Sequence, residues 1–110
     1  ASIDGALMSK MADRGQIKGA YVDGPLSLDL AIDKESAQIK KVGGEVAGDA
    51  DCILFPNIES GNVFYKANTK LANGEQGAIV AGAKVPAVLS SRGDSVQTKL
   101  YSIALAALQA

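Results

Sequence analysis

The sequence predicts an α/β fold, a mostly parallel sheet flanked by helices, and three observations lead there. Four short apolar runs, at residues 19–22, 52–55, 77–81 and 85–89, are each bounded by turn residues and read as buried strands. Helical patterns separate these runs, giving the order α-β-α-α-β-α-β-β-α. The composition agrees: 47% of the 110 residues are hydrophobic but only 5% aromatic, with 12 glycines. Core filling therefore falls to Ala, Val, Ile and Leu, as in layered α/β proteins.

Each element has a local reason. Ser2 can cap a helix running to about Arg14, with Ile3, Leu7, Met8 and Met11 on one face and Gly15 as the stop. Asp23-Gly24-Pro25 closes the first strand, and a brief helical turn covers residues 26–30. Asp33 caps a polar helix through about Lys41, broken by Gly43-Gly44. Pro56-Asn57 closes the second strand. Asn57 or Ser60 starts a helix that carries Val63, Phe64, Ala67 and Leu71 inward and ends at Asn73-Gly74. Pro86 places the start of the fourth strand at an edge or entry. Asp94 or Ser95 caps the last helix.

That last helix is apolar nearly all round from Tyr101 through Leu108, which predicts burial on every side. The remaining elements are too few to surround it. Its cover is expected from an oligomer interface or from a larger structure of which this chain is a part.

Charge and residue inventory exclude several classes of function. Lys and Arg number 11 against 12 Asp and Glu, so no basic stripe is available for nucleic acid. No run approaches 18 apolar residues and no basic-then-apolar leader is present, so no membrane association is expected and the cytoplasm is the expected location. The single cysteine, Cys52, suits a reducing compartment and, within an apolar run, reads as inert core. Histidine is absent, which removes Ser-His-Asp and Cys-His chemistry and most zinc sites. No metal site is expected.

Ligands of parallel α/β sheets bind beyond the carboxyl ends of the strands. Three polar, glycine-bearing turns fall there: Asp23-Gly24-Pro25, the stretch from Pro56 to Asn62, and the stretch from Ser90 to Ser95. In Ser91-Arg92-Gly93-Asp94 a hydroxyl stands beside a guanidinium ahead of a helix start. That suits an anion, and it also reads as a capped turn with a solvated arginine. Gly61-Asn62 either lets a ligand approach the backbone or simply initiates a helix. Asp23 and Glu59 are either bases and hydrogen-bond acceptors or turn and cap residues.

Taken together, these turns resemble the phosphate acyltransferases (phosphate acetyltransferase and phosphate butyryltransferase). The matching stretches are Arg14-Gly-Gln-Ile-Lys-Gly19, Asp23-Gly-Pro-Leu26, Glu45-Val-Ala-Gly-Asp-Ala-Asp51, Pro56-Asn-Ile-Glu-Ser-Gly-Asn62 and Ser91-Arg-Gly-Asp-Ser95. The tail Lys99-Leu-Tyr-Ser-Ile-Ala-Leu-Ala-Ala107 looks like the butyryl branch. The stretches are collinear and cover essentially the whole chain.

The resemblance implies an exchange of acyl-CoA and inorganic phosphate for acyl phosphate and CoA, with both as substrates and no permanently bound cofactor. It implies an isocitrate/isopropylmalate dehydrogenase-like two-domain fold and a homodimer. This chain would be the C-terminal part of such an enzyme, with butyryl or a branched short chain favoured over acetyl. Residues 1–84 would form the later half of the second domain and residues 85–110 a strand and helix returning to the first. The missing N-terminal part would then be the partner of the apolar last helix.

Carried over by position, Ser91 and Arg92 match the family's Ser-Arg pair: Arg92 to hold phosphoryl oxygens, Ser91 to bond the carbonyl oxygen as charge develops. Acetyl-type members carry an aspartate base six residues after that arginine, and Thr98 stands there in this chain. Asp94 is the substitute catalytic carboxylate, or it caps the helix. Asp23, Gly24, Pro56, Asn57, Gly61 and Asn62 are the expected substrate-binding positions. The non-enzymatic alternative is a phosphate- or CoA-binding, or dimerising, module of acyltransferase type. A metal-dependent oxidoreductase on the same fold is disfavoured by the absence of histidine and by the scattered carboxylates.

Overall fold

Side-chain caps and left-handed residues after the helices set most of their boundaries in a computed structural model that describes residues 1–110: Gly15 follows α1, but Lys41 (φ +56°), not the expected Gly43-Gly44, follows α3, and Asn73 (φ +53°) follows α4. Five helices result: α1 (Ser2–Asp13), α2 (Leu28–Ile32), α3 (Lys34–Ile39), α4 (Ile58–Lys70) and α5 (Val96–Leu108). Asp33 caps α3 by accepting from the Glu35 and Ser36 amides, Asn57 caps α4 through Ser60, and Ser95 caps α5 through Thr98. Helix α1 has no side-chain cap; Ala1, not Ser2, is its N-cap residue. The chain divides into two compact units, Ala1–Pro56 and Asn57–Ala110.

In the first unit the loop after α3 folds back onto the α2–α3 corner. The Gly48 amide donates to Leu30 O at 2.7 Å and the Ala50 amide to Ala31 O at 2.9 Å. Ala31 and Ala37 are buried there. Gly48 lies so close to Lys34 that a Cβ would come within 2.7 Å of its Cα, and its φ is +75°. At the other end, α1 meets the Asp23-Gly24-Pro25 turn through Gly5, where a Cβ would stand 3.2 Å from Pro25 N.

In the second unit a strap after α4 crosses α5. A Cβ on Gly77 would lie 3.1 Å from the Tyr101 carbonyl, and the Ala78 amide donates to Ser102 Oγ at 2.9 Å. Ser102 in turn donates to Thr98 O at 2.7 Å and is 2% exposed. Tyr101 Oη donates to Glu75, and Asn68 donates to Gln76.

The predicted α/β sheet is not formed: the structure contains no strand. Residues 19–22, 52–55, 77–81 and 85–89 are non-helical backbone without a ladder. A single bond, Val80 N–H to Ala87 O at 2.9 Å, links the third segment to the fourth. A strand exists only when another extended segment lies about 4.8 Å alongside it in register. Residues 77–78 lie against α5 instead, where the close approach of Gly77 and the Ser102 hydroxyl take up the backbone. Apolar runs bounded by turns suggested strands but could not supply the neighbour that a strand needs. Cys52 is accordingly exposed rather than inert core.

Helix faces also differ from expectation. Val63, Phe64 and Leu71 of the α4 region, expected inward, are exposed, as are Ile3, Leu7 and Met11 of α1. The α5 helix buries Thr98, Ser102 and Ala106, spaced four residues apart. Its large apolar residues face out, with Val96 84%, Ile103 60% and Leu108 85% exposed. Close contact with the strap requires small side chains, so the small stripe faces inward. No helix is long and apolar enough to cross a membrane.

Gly48→Ala is expected to destabilise the chain through both a backbone clash and a positive φ, by about 2–4 kcal/mol. Gly15→Ala, at φ +73° with nothing within 4 Å, carries only the conformational cost of about 1–2 kcal/mol. Urea unfolding midpoints of the two variants separate the clash from the dihedral.

Candidate functional site

Ser91-Arg92-Gly93-Asp94 folds as a turn closed from both sides. The Asp94 amide donates to Ser91 O at 3.1 Å, and the Ser91 amide donates back to Asp94 Oδ2 at 2.9 Å. The next residue, Ser95, accepts from the Thr98 amide at 3.1 Å and so starts α5 directly behind the turn.

Helix α4 fastens this turn. Tyr65 Oη donates to Asp94 Oδ2 at 3.0 Å, Lys66 Nζ to Asp94 Oδ1 at 3.4 Å, and Lys70 Nζ to Gly93 O at 3.2 Å. Lys66 and Lys70 are four apart and share a helix face, with Tyr65 beside them. The Lys66 ammonium also lies 4.7 Å from the centroid of the Tyr65 ring.

The Asp94 side chain is 6% exposed and engages both oxygens. Burial alone would push its carboxyl up. The bonds from the Ser91 amide, Tyr65 and Lys66 outweigh that and hold it below the ordinary carboxylate value. Burial, helped by the bond to Asp94, pushes the Tyr65 hydroxyl up, which keeps it a donor at neutral pH.

What the turn presents outward is different. Ser91, Arg92 and Gly93 are exposed. Ser91 Oγ takes only a long 3.4 Å contact from the Gly93 amide, and Arg92 forms no ion pair. A hydroxyl and a forked guanidinium therefore project from a backbone fixed on its other side, an arrangement able to hold an anion and donate to a neighbouring oxygen. A cavity of about 270 Å³ is lined by Gly93, Asp94 and Ser95, by Lys70, and by Thr98 and Tyr101. Ser91 and Arg92 do not line it.

The other predicted positions sit elsewhere along the chain. Asp23 accepts from the adjacent Gly24 amide at 2.8 Å in the first unit; Asp23 is exposed and Gly24 half-buried. Pro56 is exposed at the end of that unit. Asn57 uses its side chain to cap α4, accepting from the Ser60 amide at 2.9 Å. Gly61 is half-buried and Asn62 exposed in the first turns of α4. No group of three His, Cys, Asp or Glu residues is placed to hold a metal.

Sequence reasoning missed Tyr65, Lys66 and Lys70. They stand 23 to 29 residues from their partners in the turn. The weak hint was a tyrosine and two lysines on a helix that also had to bury a face.

Residues 5–107 match the family model described as phosphate acetyl/butaryl transferase. The phosphate butyryltransferase of Clostridium acetobutylicum is 56% identical over 110 residues, all of this chain and 36% of that protein. The phosphate butyryltransferase of Clostridium beijerinckii is 52% identical with the same coverage. Among solved structures, a branched-chain phosphotransacylase from Enterococcus faecalis V583 superimposes with a TM-score of 0.82 at 37% identity. That match covers 98% of this chain and 38% of the other. The chain thus spans about 36% of the length of the curated relatives it matches.

Asp94→Asn removes a charge whose folded-state pKa is depressed. Its contribution to stability is fully present above the unfolded value of about 3.9. It is lost as pH falls through the lower folded value. The variant is expected to be destabilised by about 1–3 kcal/mol at pH 7. Urea unfolding at pH 7 and pH 3 should show the difference from the wild type narrowing at the lower pH.

Proposed function

The chain belongs to the phosphate acetyl/butaryl transferase family, and from that premise we propose that it forms the C-terminal portion of a phosphate acyltransferase. The reaction is acyl-CoA plus inorganic phosphate giving acyl phosphate plus CoA, with a butyryl or branched short-chain acyl group. One observation carries the reading: Ser91 and Arg92 stand side by side and exposed on a turn whose backbone is held by Asp94. The names and identities of the similar proteins support the choice of acyl group.

In the direction of thioester formation, Arg92 grips the phosphoryl oxygens of the acyl phosphate. Ser91 donates to the carbonyl oxygen as negative charge builds there. The CoA sulfur, having lost its proton, forms the new C–S bond. The C–O bond to phosphate breaks, and phosphate leaves with the electron pair under the guanidinium and takes up, through solvent, the proton that the thiol lost, departing as hydrogen phosphate. No covalent enzyme intermediate is needed, so the absence of histidine is no obstacle. Asp94, with both oxygens engaged, serves this reading better as the anchor of the turn than as the base for the thiol.

Asp23, Gly24 and Pro56 in the first unit, and separately Asn57, Gly61 and Asn62 in the second, are the positions proposed to meet CoA or phosphate. Residues 1–84 belong to the later half of the second domain of the enzyme and residues 85–110 return to the first. The remainder of the enzyme covers the exposed apolar residues of α5, and the complete protein is a cytoplasmic homodimer with no permanently bound cofactor. Half a cleft cannot position two substrates, so catalysis needs the complete polypeptide.

The test is thioester formation from butyryl phosphate and CoA by a full-length enzyme containing this segment, beside the 110-residue chain alone. The full-length enzyme is expected to turn over and the isolated chain to remain at background. Arg92→Ala should lower kcat/KM by about 10²–10³, and Arg92→Lys should not restore it because the fork is lost. Undiminished turnover in Arg92→Ala would remove this turn from the site. Binding of CoA without turnover by the full-length protein would favour a non-catalytic module.

A further inference from the structure

We propose that Tyr65 and Lys66 of α4 are positioning residues for the acyl transfer: they hold Asp94, and Asp94 holds the turn that aims Ser91 and Arg92. The proposal rests on the reading above and adds residues that the turn itself does not contain.

The turn beneath them fixes the direction of the two exposed side chains. Neither is steered by strong contacts of its own: Ser91 Oγ meets only the Gly93 amide at 3.4 Å, and Arg92 forms no ion pair. Their aim is therefore set by the backbone of the turn. That backbone is closed by Asp94, which takes the Ser91 amide at 2.9 Å on the same oxygen, Oδ2, that Tyr65 meets at 3.0 Å. Lys66 occupies Oδ1 at 3.4 Å. Donors on both oxygens, the closer two on Oδ2, oppose rotation of the carboxylate about its Cβ–Cγ bond. The Ser91 amide is held with it.

The fold does not otherwise require these contacts. The Asn57–Ala110 unit is tied by Ser102 to Ala78, by Tyr101 to Glu75, by Asn68 to Gln76 and by the Ser95 cap. Lys66 is 35% exposed and Asp94 only 6%, so the pair spans the boundary between core and solvent at the turn. Removing one anchor should free the turn by fractions of an ångström while the helices stay packed. Displacements of that order cost reaction rate more than binding.

The experiment uses the full-length enzyme with butyryl phosphate and CoA, measuring kcat, the two KM values and the urea midpoint. Tyr65→Phe is expected to lower kcat by about 10–100-fold, with each KM within about threefold of wild type. The urea midpoint should fall less than it does in Asp94→Asn, because the Ser91 amide and Lys66 still meet the carboxylate. Lys66→Met should lower kcat by about 10-fold, and Lys66→Arg should retain most of it because the charge and reach are kept. Added to Asp94→Asn, Tyr65→Phe should cause no further loss, since both act through one carboxylate. Should Tyr65→Phe unfold the protein, the Lys66 pair at its half-exposed position carries the same test. Wild-type kcat in both Tyr65→Phe and Lys66→Met would overturn the proposal, as would losses that multiply in full with Asp94→Asn. A wild-type enzyme without turnover overturns the acyl-transfer reading and the positioning role with it; a wild type that turns over beside unaffected variants overturns the positioning role alone.

Discussion

A carboxylate removed from water must be met by donors, and in the Asn57–Ala110 unit that requirement falls on Asp94. Its partners come from two places in the chain: a helix that ends at Lys70 and a turn that begins at Ser91. Satisfying it draws Tyr65 and Lys66 to the turn, with Lys70 joining through the Gly93 carbonyl. The start of α5 follows directly, since Ser95 is the next residue. Asp94 is thus the point at which α4, the turn and the start of α5 meet.

Rigidity on the inner side of the turn and freedom on its outer side belong together. For the acyl transfer proposed above, a donor is effective when its position is set before the substrate arrives, so that no reorganisation is needed as charge develops. Ser91 and Arg92 remain available because Asp94, not they, closes the turn. An exposed arginine on a loose loop would have to order itself at each binding event. The same residue on a closed turn is already placed.

The close backbone approaches in both units rest on small residues. Ala31, Ala37 and Gly48 allow the first to close on itself; Gly77, Ser102 and Ala106 do so for the second. Larger apolar side chains, among them Ile3, Leu54, Val96, Ile103 and Leu108, are left facing solvent. Apolar surface of that extent marks a site of further association, and the chain spans only about 36% of the length of its relatives. The two facts have one explanation in the larger enzyme proposed above.

Local chemistry was legible in the sequence. The caps at Asp33, Asn57 and Ser95 and the stop at Gly15 each act within about four residues of themselves, and all were placed from the sequence, with Ser60 and Asp94 as the competing caps. The collinear stretches from Arg14 to Ser95 pointed to the family for a related reason: they are linear strings that a reader of the chain can match. Pairing across distance was not legible. No rule links Tyr65 to Asp94 before α4 and the turn are brought together, and nothing in residues 77–81 says that a serine on α5, rather than another strand, will receive the Ala78 amide. The sequence by itself determined that helices form in these regions, the Asp33 cap and the residues of the turn; it offered Ser2 as the cap of α1, where Ala1 stands, and left two candidates each for α4 and α5. Only the tertiary structure decided which face of α5 is buried, that no sheet forms, that Cys52 is exposed, and what holds Asp94, because each depends on a partner that is far away in the chain and near only in space.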